Sequence, residues 1–387
     1  MKRYAHITGW GKYAPEKILT NDDLSQMVDT SDEWIRTRTG IKTRHIVGEG
    51  ETTATMSVRA AQAALDVANV TPDQIELIIV ATSSPDYLTP STACLVQNSL
   101  GAMRAGAFDL AAGCSGFVYG LGVASALIES GVYDTVLVIG AETVSNFVNW
   151  SDRETCVLFG DGAGAVVLQA KEVPGGVLSF VLGADGSGAE LLYVPAGGTR
   201  QPTSAETVAQ GLHFLRMNGR AVFRFAVNIM PRASRQVCEQ AGLSLDDIEL
   251  FIPHQANDRI LQASARALNI PTERMFSNLE HYGNTSAASV PIALCEAIEA
   301  GLIKRGDHLV MVGFGAGLTW AAAAIQWSMP WPVPGRPWWR KLLRWLYYRW
   351  ASLRSWTLRV LRGFDSTLRQ SEEESQPPKQ EKEDAMK

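Results

Sequence analysis

Short apolar runs recur along residues 1–330 and alternate with longer stretches whose apolar positions repeat every three or four residues. "ELIIVATSS" (76–84), "TVLVIGAE" (135–142) and "AVVLQA" (165–170) are nearly continuous in apolar residues, the pattern of strands buried on both faces. "AFDL" (107–110) reads as the end of a further strand. "TMSVRAAQAALDVANV" (55–70) and "FVYGLGVASALIESG" (117–131) read as helices. Buried strands alternating with helices predict an α/β protein with mostly parallel sheets covered on both faces.

A faint echo divides the body. "FGDGAGAVVL" (159–168) and "FGAGLTWAAAAI" (314–325) each lead a glycine-rich turn into a strand, as a duplicated fold would. Glycine-rich turns also cradle phosphates. These run into strands rather than helices and lack a following Gly-Lys-Ser/Thr, so close backbone packing is the better reading.

The pattern changes at "PWPVPGRP" (330–337), a proline-rich stop. Beyond it, Lys341, Arg344, Tyr348, Ser352, Ser355, Arg359 and Arg362 fall on one helical face. Trp339, Leu342, Leu346, Trp350, Leu353, Val360 and Phe364 fall roughly opposite. That is an amphipathic helix. Residues 371–387, "SEEESQPPKQEKEDAMK", have the composition of a disordered tail. Three regions follow: a first half (1–172), a second half (173–329), and an extension (330–387).

Charge sharpens this division. The net charge of −5 conceals eight basic and no acidic residues in 336–362, against a strongly acidic body. An acidic body argues against nucleic-acid binding. Eight charges exclude a spanning segment, whereas Trp and Leu opposite Arg suit peripheral contact with an anionic membrane through 338–364. Packing on the acidic body or on a partner is the alternative. The N-terminus has no apolar signal core. The five cysteines are odd in number and scattered, without metal-ligand spacing, so a reduced cytoplasmic compartment and no metal are expected.

One cysteine stands out. "AAGCSGF" (111–117) surrounds Cys114 with almost no side-chain bulk. The bareness suits close helix packing, or a substrate approaching the sulfur and the backbone beside it. At a helix N-terminus the thiol pKa should fall, and the same N–H groups can hold an oxyanion. The second half supplies His254 in "IPHQANDRI" and Asn284 in "HYGNTSAAS". Each alone is more often structural. A thiol that can take an acyl group, with an imidazole and a carboxamide that can donate to a thioester oxygen, suits carbon–carbon bond formation without a metal.

"TNDDLSQMVDTSDEWIRTRTGIKTRHI", "FDLAAGCSGF", "FGDGAGAVVL", "PHQAN", "HYGNTSAASVP" and "FGAGLTW" occur in this order. Together they resemble β-ketoacyl-acyl-carrier-protein synthase III of the thiolase superfamily over about residues 1–327. The resemblance implies a duplicated five-layered αβαβα fold, a homodimer, and no cofactor beyond coenzyme A thioesters as substrate. It implies a ping-pong condensation of acyl-CoA with malonyl-acyl-carrier protein. By position, Cys114 matches the acyl-accepting nucleophile, and His254 and Asn284 the pair supporting malonyl decarboxylation. The backbone N–H groups of Cys114 and Ala316 match the oxyanion hole, and Phe314 the aromatic beside the histidine. Trp34 and Arg153 match the residues that sandwich adenine, with Arg38, Arg220 and Arg224 completing the coenzyme A set. Arg259 and Arg266 match basic positions that dock the acidic carrier. Thiolases carry a second cysteine at the Asn284 motif, and hydroxymethylglutaryl-CoA synthases need a general-acid glutamate that no matched motif supplies.

Two departures accompany the resemblance. Family sequences end near Trp327, so the extension is additional. Some acetyl-selective relatives place phenylalanine where this chain has Thr89, in a dimer-contact loop that shapes the partner's acyl pocket. With Tyr87 and Leu88 as competing occupants, Thr89 implies room for primers longer than acetyl. Two further readings stand beside the chain initiator: a same-fold enzyme using longer acyl chains for specialised lipids or secondary metabolites, and a non-catalytic membrane or partner scaffold.

Overall fold

The computed structural model describes residues 2–331, 346–351, 353–355, 357–358 and 360. It divides into two units, residues 1–335 and 336–387, each taken by itself. The first unit begins with β1 (Tyr4–Tyr13), β2 (Ile18–Thr20), α1 (Asn21–Ser25), α2 (Asp32–Thr39), β3 (Thr43–His45) and α3 (Thr53–Ala68). It continues through β4 (Leu77–Ala81), α4 (Thr92–Leu100), β5 (Gly106–Leu110), α5 (Gly116–Glu129), β6 (Thr135–Glu142) and β7 (Gly162–Lys171). The second half runs β8 (Gly176–Ala184), β9 (Leu192–Tyr193), α6 (Ala205–Ala209), β10 (Arg216–Met217), α7 (Gly219–Ala241) and β11 (Leu250–Pro253). It closes with α8 (Asp258–Leu268), α9 (Leu279–Tyr282), α10 (Ser289–Glu299), β12 (His308–Gly315) and β13 (Thr319–Gln326).

Two sheets dominate, and each draws its strands from one half of the chain. The first has the order β1-β7-β6-β4-β5, the second β8-β13-β12-β11. Strand directions correspond pair by pair. β1–β7 and β7–β6 are antiparallel and β6–β4 parallel; β8–β13 and β13–β12 are antiparallel and β12–β11 parallel. Where β5 completes the first sheet, the second keeps a single parallel bridge, Phe251 to Met275. The sheets are thus mixed, not mostly parallel. The expectation failed because a strand buried on both faces carries the same apolar run whichever way its neighbours point.

Helices α5 and α10 lie between the two sheets and touch both, α3 covers the first sheet and α7 the second, giving five layers αβαβα. Position explains composition. Helix α5 is apolar on nearly all sides because a sheet lies on each. Gly122 admits Phe180 of β8 so closely that a Cβ would come within 2.8 Å of its ring. Helix α7 has one covered face and is markedly amphipathic. It starts at Asn218, whose side chain accepts from Ala221 N–H, and ends at Gly242, where φ is +71°.

In the second unit, the described residues from 346 to 360 are helical. Leu346, Trp350 and Leu353, at helical spacing, are exposed, and the Arg354 guanidinium lies 5.8 Å from the Trp350 ring. The acidic tail (371–387) and most of the expected basic helix lie outside the described residues.

Candidate active site

Cys114 sits in the single turn Gly113–Ser115 between β5 and α5, two residues ahead of the helix, and is 7% exposed. The bare neighbourhood has a steric cause. Gly113 has φ +53°, and a Cβ there would meet Ala316 N at 2.6 Å. A Cβ on Gly315 would meet Cys114 N at 2.3 Å. The end of β12 therefore lies directly against the backbone of the thiol's turn. Hydroxyls fix the contact: Ser115 Oγ reaches Ala112 O (2.7 Å) and Thr319 Oγ1 (2.9 Å), and Thr319 Oγ1 reaches Ala316 O (2.9 Å). Of the two readings of "AAGCSGF", close backbone packing is the one these contacts bear out.

His254 follows β11 directly. Its N–H donates to Val312 O at 2.7 Å, and Phe314 packs edge-on at 5.2 Å between ring centroids. Nδ1 lies 2.6 Å from Ser289 Oγ, which also accepts from Gln255 N–H at 3.4 Å. An Nδ1 that accepts from the Ser289 hydroxyl would leave the proton of a neutral ring on Nε2. Burial pulls the imidazole down to about 3, so the ring is neutral.

Asn284 is pinned to the turn that precedes β7. Its N–H donates to Leu158 O (2.8 Å) and its carbonyl accepts from Gly160 N–H (3.1 Å). A Cβ on Gly160 would meet Tyr282 O at 2.4 Å. The glycine-rich "FGDG" turn is therefore a packing device, as the sequence reading favoured. Ser286 N–H donates to Asn284 Oδ1 at 2.9 Å, which leaves the amide NH2 as the carboxamide's donor.

Cys114, His254, Asn284, Phe314 and Gly315 line one cavity of about 980 Å³. Trp34, Arg38, Arg153, Arg220, Arg224 and Arg259 line it too. The Trp34 ring carries the Arg38 guanidinium at 4.9 Å and that of Arg153 at 5.4 Å. Arg153 also donates to Asp29 O at 2.8 Å. Arg259 and Arg266 are both exposed on α8, with Arg266 outside the cavity lining. Tyr87, Leu88 and Thr89 are exposed and line no part of the cavity, so the structure does not bring them to the thiol. Among the described residues no cluster of His, Cys, Asp or Glu could hold a metal.

The thiol departs from its expected acidity. Burial pushes Cys114 up to about 12; the Ser286 hydroxyl opposes the rise and the Glu142 carboxylate adds to it. Desolvation of a buried thiol outweighs the partial charge of a helix that begins two residues later. Sequence reasoning passed over this surrounding shell. Glu142 is fully buried at the end of β6, and Ser286 and Ser289 lie two and five residues beyond Asn284. Their signal was present, an acidic residue closing an apolar strand and serines clustered in "NTSAAS", but neither had a partner until the halves met.

Two family models match. The 3-oxoacyl-[acyl-carrier-protein] synthase III model covers residues 108–186, and its C-terminal counterpart covers 238–327. The chain is similar to β-ketoacyl-[acyl-carrier-protein] synthase III of Caldanaerobacter subterraneus subsp. tengcongensis, 55% identical over 84% of this chain and 98% of that protein. It resembles the crystal structure of 3-oxoacyl-[acyl-carrier-protein] synthase III from Aquifex aeolicus (TM-score 0.77, 49% identity, 84% of this chain and 100% of that one). It also resembles the priming β-ketosynthase of the R1128 polyketide pathway (TM-score 0.79, 37% identity, 85% and 98%).

Proposed function

The chain belongs to the β-ketoacyl-[acyl-carrier-protein] synthase III family, and from that membership we propose how its residues divide the reaction. It is an acyltransferase that condenses an acyl-CoA primer with malonyl-acyl-carrier protein, the step that initiates fatty-acid synthesis. Cys114 accepts the acyl group and coenzyme A leaves. The N–H groups of Cys114 and Ala316 hold the oxyanion. His254 Nε2–H and the Asn284 NH2 then donate to the malonyl thioester oxygen as carbon dioxide departs, stabilising the enolate that attacks the acyl-cysteine. Phe314 walls the imidazole from water. Trp34, Arg38, Arg153, Arg220 and Arg224 take the nucleotide end of coenzyme A, and Arg259 and Arg266 the acidic carrier. No resident cofactor enters these steps.

One observation carries this assignment: a thiol, a neutral imidazole and a carboxamide with its donors free line the same cavity. Intact mass after exposure to acyl-CoAs of several lengths tests it, with Cys114→Ser as control. A cysteine-dependent adduct discharged by malonyl-carrier protein is the expected result. Absence of any adduct would refute it and leave the scaffold reading.

The chain acts as a homodimer joined along β5. That strand is an edge of the first sheet with Phe108 38% exposed, and Leu88 on the neighbouring loop is 90% exposed. An exposed apolar edge is a surface for pairing. Thr89 then opens the partner's acyl pocket to primers longer than acetyl. Thr89→Phe should shift primer preference toward acetyl; an unchanged preference would count against it.

The enzyme is cytoplasmic, with its extension on the inner face of the membrane. Exposed Leu346, Trp350 and Leu353 and the eight basic residues of 336–362 support this contact, each cation adding about 1 kcal/mol near an anionic surface. No helix among the described residues is long and apolar enough to cross a membrane. Removing 331–387 should abolish sedimentation with anionic vesicles, and undiminished binding would sink the idea.

A further inference from the structure

His254 and Asn284 are held by different parts of the fold. His254 N–H is tied to Val312 O on β12 of the second sheet, and Asn284 to the turn ahead of β7 of the first. Two donors that must meet one oxygen need a fixed separation. Pinned only to separate sheets, they would move apart with any shift between those sheets.

Gln255 supplies a direct tie. It is 1% exposed, follows His254 in the chain and lines no part of the cavity. Its carboxamide makes three hydrogen bonds: Nε2 donates to Pro253 O at 2.8 Å and to Phe276 O at 3.1 Å, and Oε1 accepts from Asn278 N–H at 3.2 Å. One donor holds the end of β11, just before His254; the other, with the acceptor, holds the segment that leads into α9. A buried carboxamide is costly unless its bonds are made, and an apolar side chain of that size would fill the space without them. The bonds made here tie one segment to the other.

Helix α9 carries the tie to Asn284. Asn278 precedes the helix, and its carbonyl accepts from His281 N–H at 3.1 Å. Glu296 on α10 holds both ends. It accepts from Asn278 Nδ2 at 3.1 Å and from the Tyr282 hydroxyl at 2.6 Å, and Lys12 Nζ of β1 donates to it at 2.8 Å. Only Gly283 separates Tyr282 from Asn284. It has φ +63°, and a Cβ there would meet Leu158 O at 2.9 Å, so the last link is short and confined. Ser289, the partner of His254 Nδ1, lies seven residues before Glu296 on α10, two turns along the same face. One helix face thus touches the imidazole and, two turns on, the ends of α9.

We propose that Gln255 is a positioning residue for the condensation step: its carboxamide, braced through α9 by Glu296, sets the separation of the His254 imidazole from the Asn284 amide. This deepens the proposed function and rests on those two groups donating to one malonyl thioester oxygen. Gln255 itself touches no substrate. The thiol stands outside the network, because its turn is held by β12 and by the bond between Ser115 and Thr319. The two half-reactions should therefore respond differently.

The test uses the full-length protein and follows Cys114 by intact mass, first with acetyl-CoA alone and then, once acylated, with malonyl-acyl-carrier protein. Gln255→Met keeps the length of the side chain and removes all three bonds. It should slow discharge of the acyl-cysteine roughly 10²-fold, the cost of misplacing a reacting group by about 1 Å. Acylation should stay within about twofold of native, and the carrier concentration giving half-maximal discharge should not change, so that only the rate constant falls. A residue that merely stabilised the fold would slow both steps together. Tyr282→Phe removes the hydroxyl bond at the other end of α9 and should slow the same step about tenfold. It decides the matter if Gln255→Met does not fold. In an Asn284→Ala background the separation has no second donor to set, so Gln255→Met should then cost no more than about twofold. Equal slowing of both half-reactions, native discharge in either folded variant, or the full loss repeated beside Asn284→Ala overturns the proposal. Native discharge in Asn284→Ala by itself would instead be the failure of Asn284 as a donor, and the inference would fall with it.

Discussion

Gly315→Ala puts the geometry of the thiol to a direct test. The added methyl would stand 2.3 Å from Cys114 N and 3.1 Å from its Cα, where ordinary contact begins near 3.4 Å. About 1 Å must be relieved between two backbones, since no flexible side chain stands there to give way. Gly315 is held in β12 by pairing with Thr319, and Thr319 also bonds Ser115, so the strain falls on the Cys114 turn. Overpacking of this kind costs about 1–3 kcal/mol. At about 2–4 °C per kcal/mol for large domains, the melting temperature should fall by roughly 2–12 °C. A 1 Å displacement of a reacting group costs about 10²-fold in rate. Single-turnover acylation by intact mass and thermal unfolding would be read on one preparation, with Gly198→Ala, which meets nothing within 4 Å, as control. Native acylation together with a native melting temperature in Gly315→Ala would refute the claim that β12 fixes the thiol's backbone.

Three further outcomes are expected. His254 is held down to about 3 against an ordinary 6.5, so the unfolded chain binds the extra proton; stability is full above pH 6.5 and falls with acid toward pH 3. Between pH 6.5 and 4.5 this one group should account for about 2–3 kcal/mol, a component of the melting curve that His254→Asn should remove. Ser289→Ala releases Nδ1 and should slow malonyl-dependent condensation about tenfold, the worth of one hydrogen bond, while leaving Cys114 acylation unchanged. Arg153→Ala should raise KM for acyl-CoA about three- to fivefold, the loss of one cation–π contact, without affecting a primer thioester that lacks the nucleotide; an equal effect on both would misplace the clamp.

Periodicity reached the elements and stopped short of their directions. "TVLVIGAE" is β6 residue for residue, and the helices at 55–70 and 117–131 differ from α3 and α5 by one or two positions at each end. The mixed sheets were invisible because burial on two faces erases the alternation that would distinguish one pairing from another. Cys114 was legible because its turn is stripped of bulk, a constraint written in neighbouring residues; His254 and Asn284 gained meaning beside it and through the motifs that carry the family resemblance. Glu142 and Ser289 were not. Their meaning lies in contacts more than thirty residues away in sequence, to Ser286 and His254 respectively. The acidity of the thiol was misjudged for the same reason, since local sequence shows a helix end but not the strand that closes over it.

The seam between the two sheets has a consequence for the chain as it is made. Cys114 belongs to the first sheet's half, and His254 lies 140 positions further along. At ribosomal speeds of 5–20 residues per second, the thiol's half emerges roughly ten to thirty seconds before its partners. Through that interval Gly315 and Ala316 are absent, so the strand end that packs against the thiol's turn is not in place. A nascent or half-folded chain therefore meets the cell's acyl-CoA pool with an ordinary cysteine, and chemical competence arrives in one step, when the second half docks.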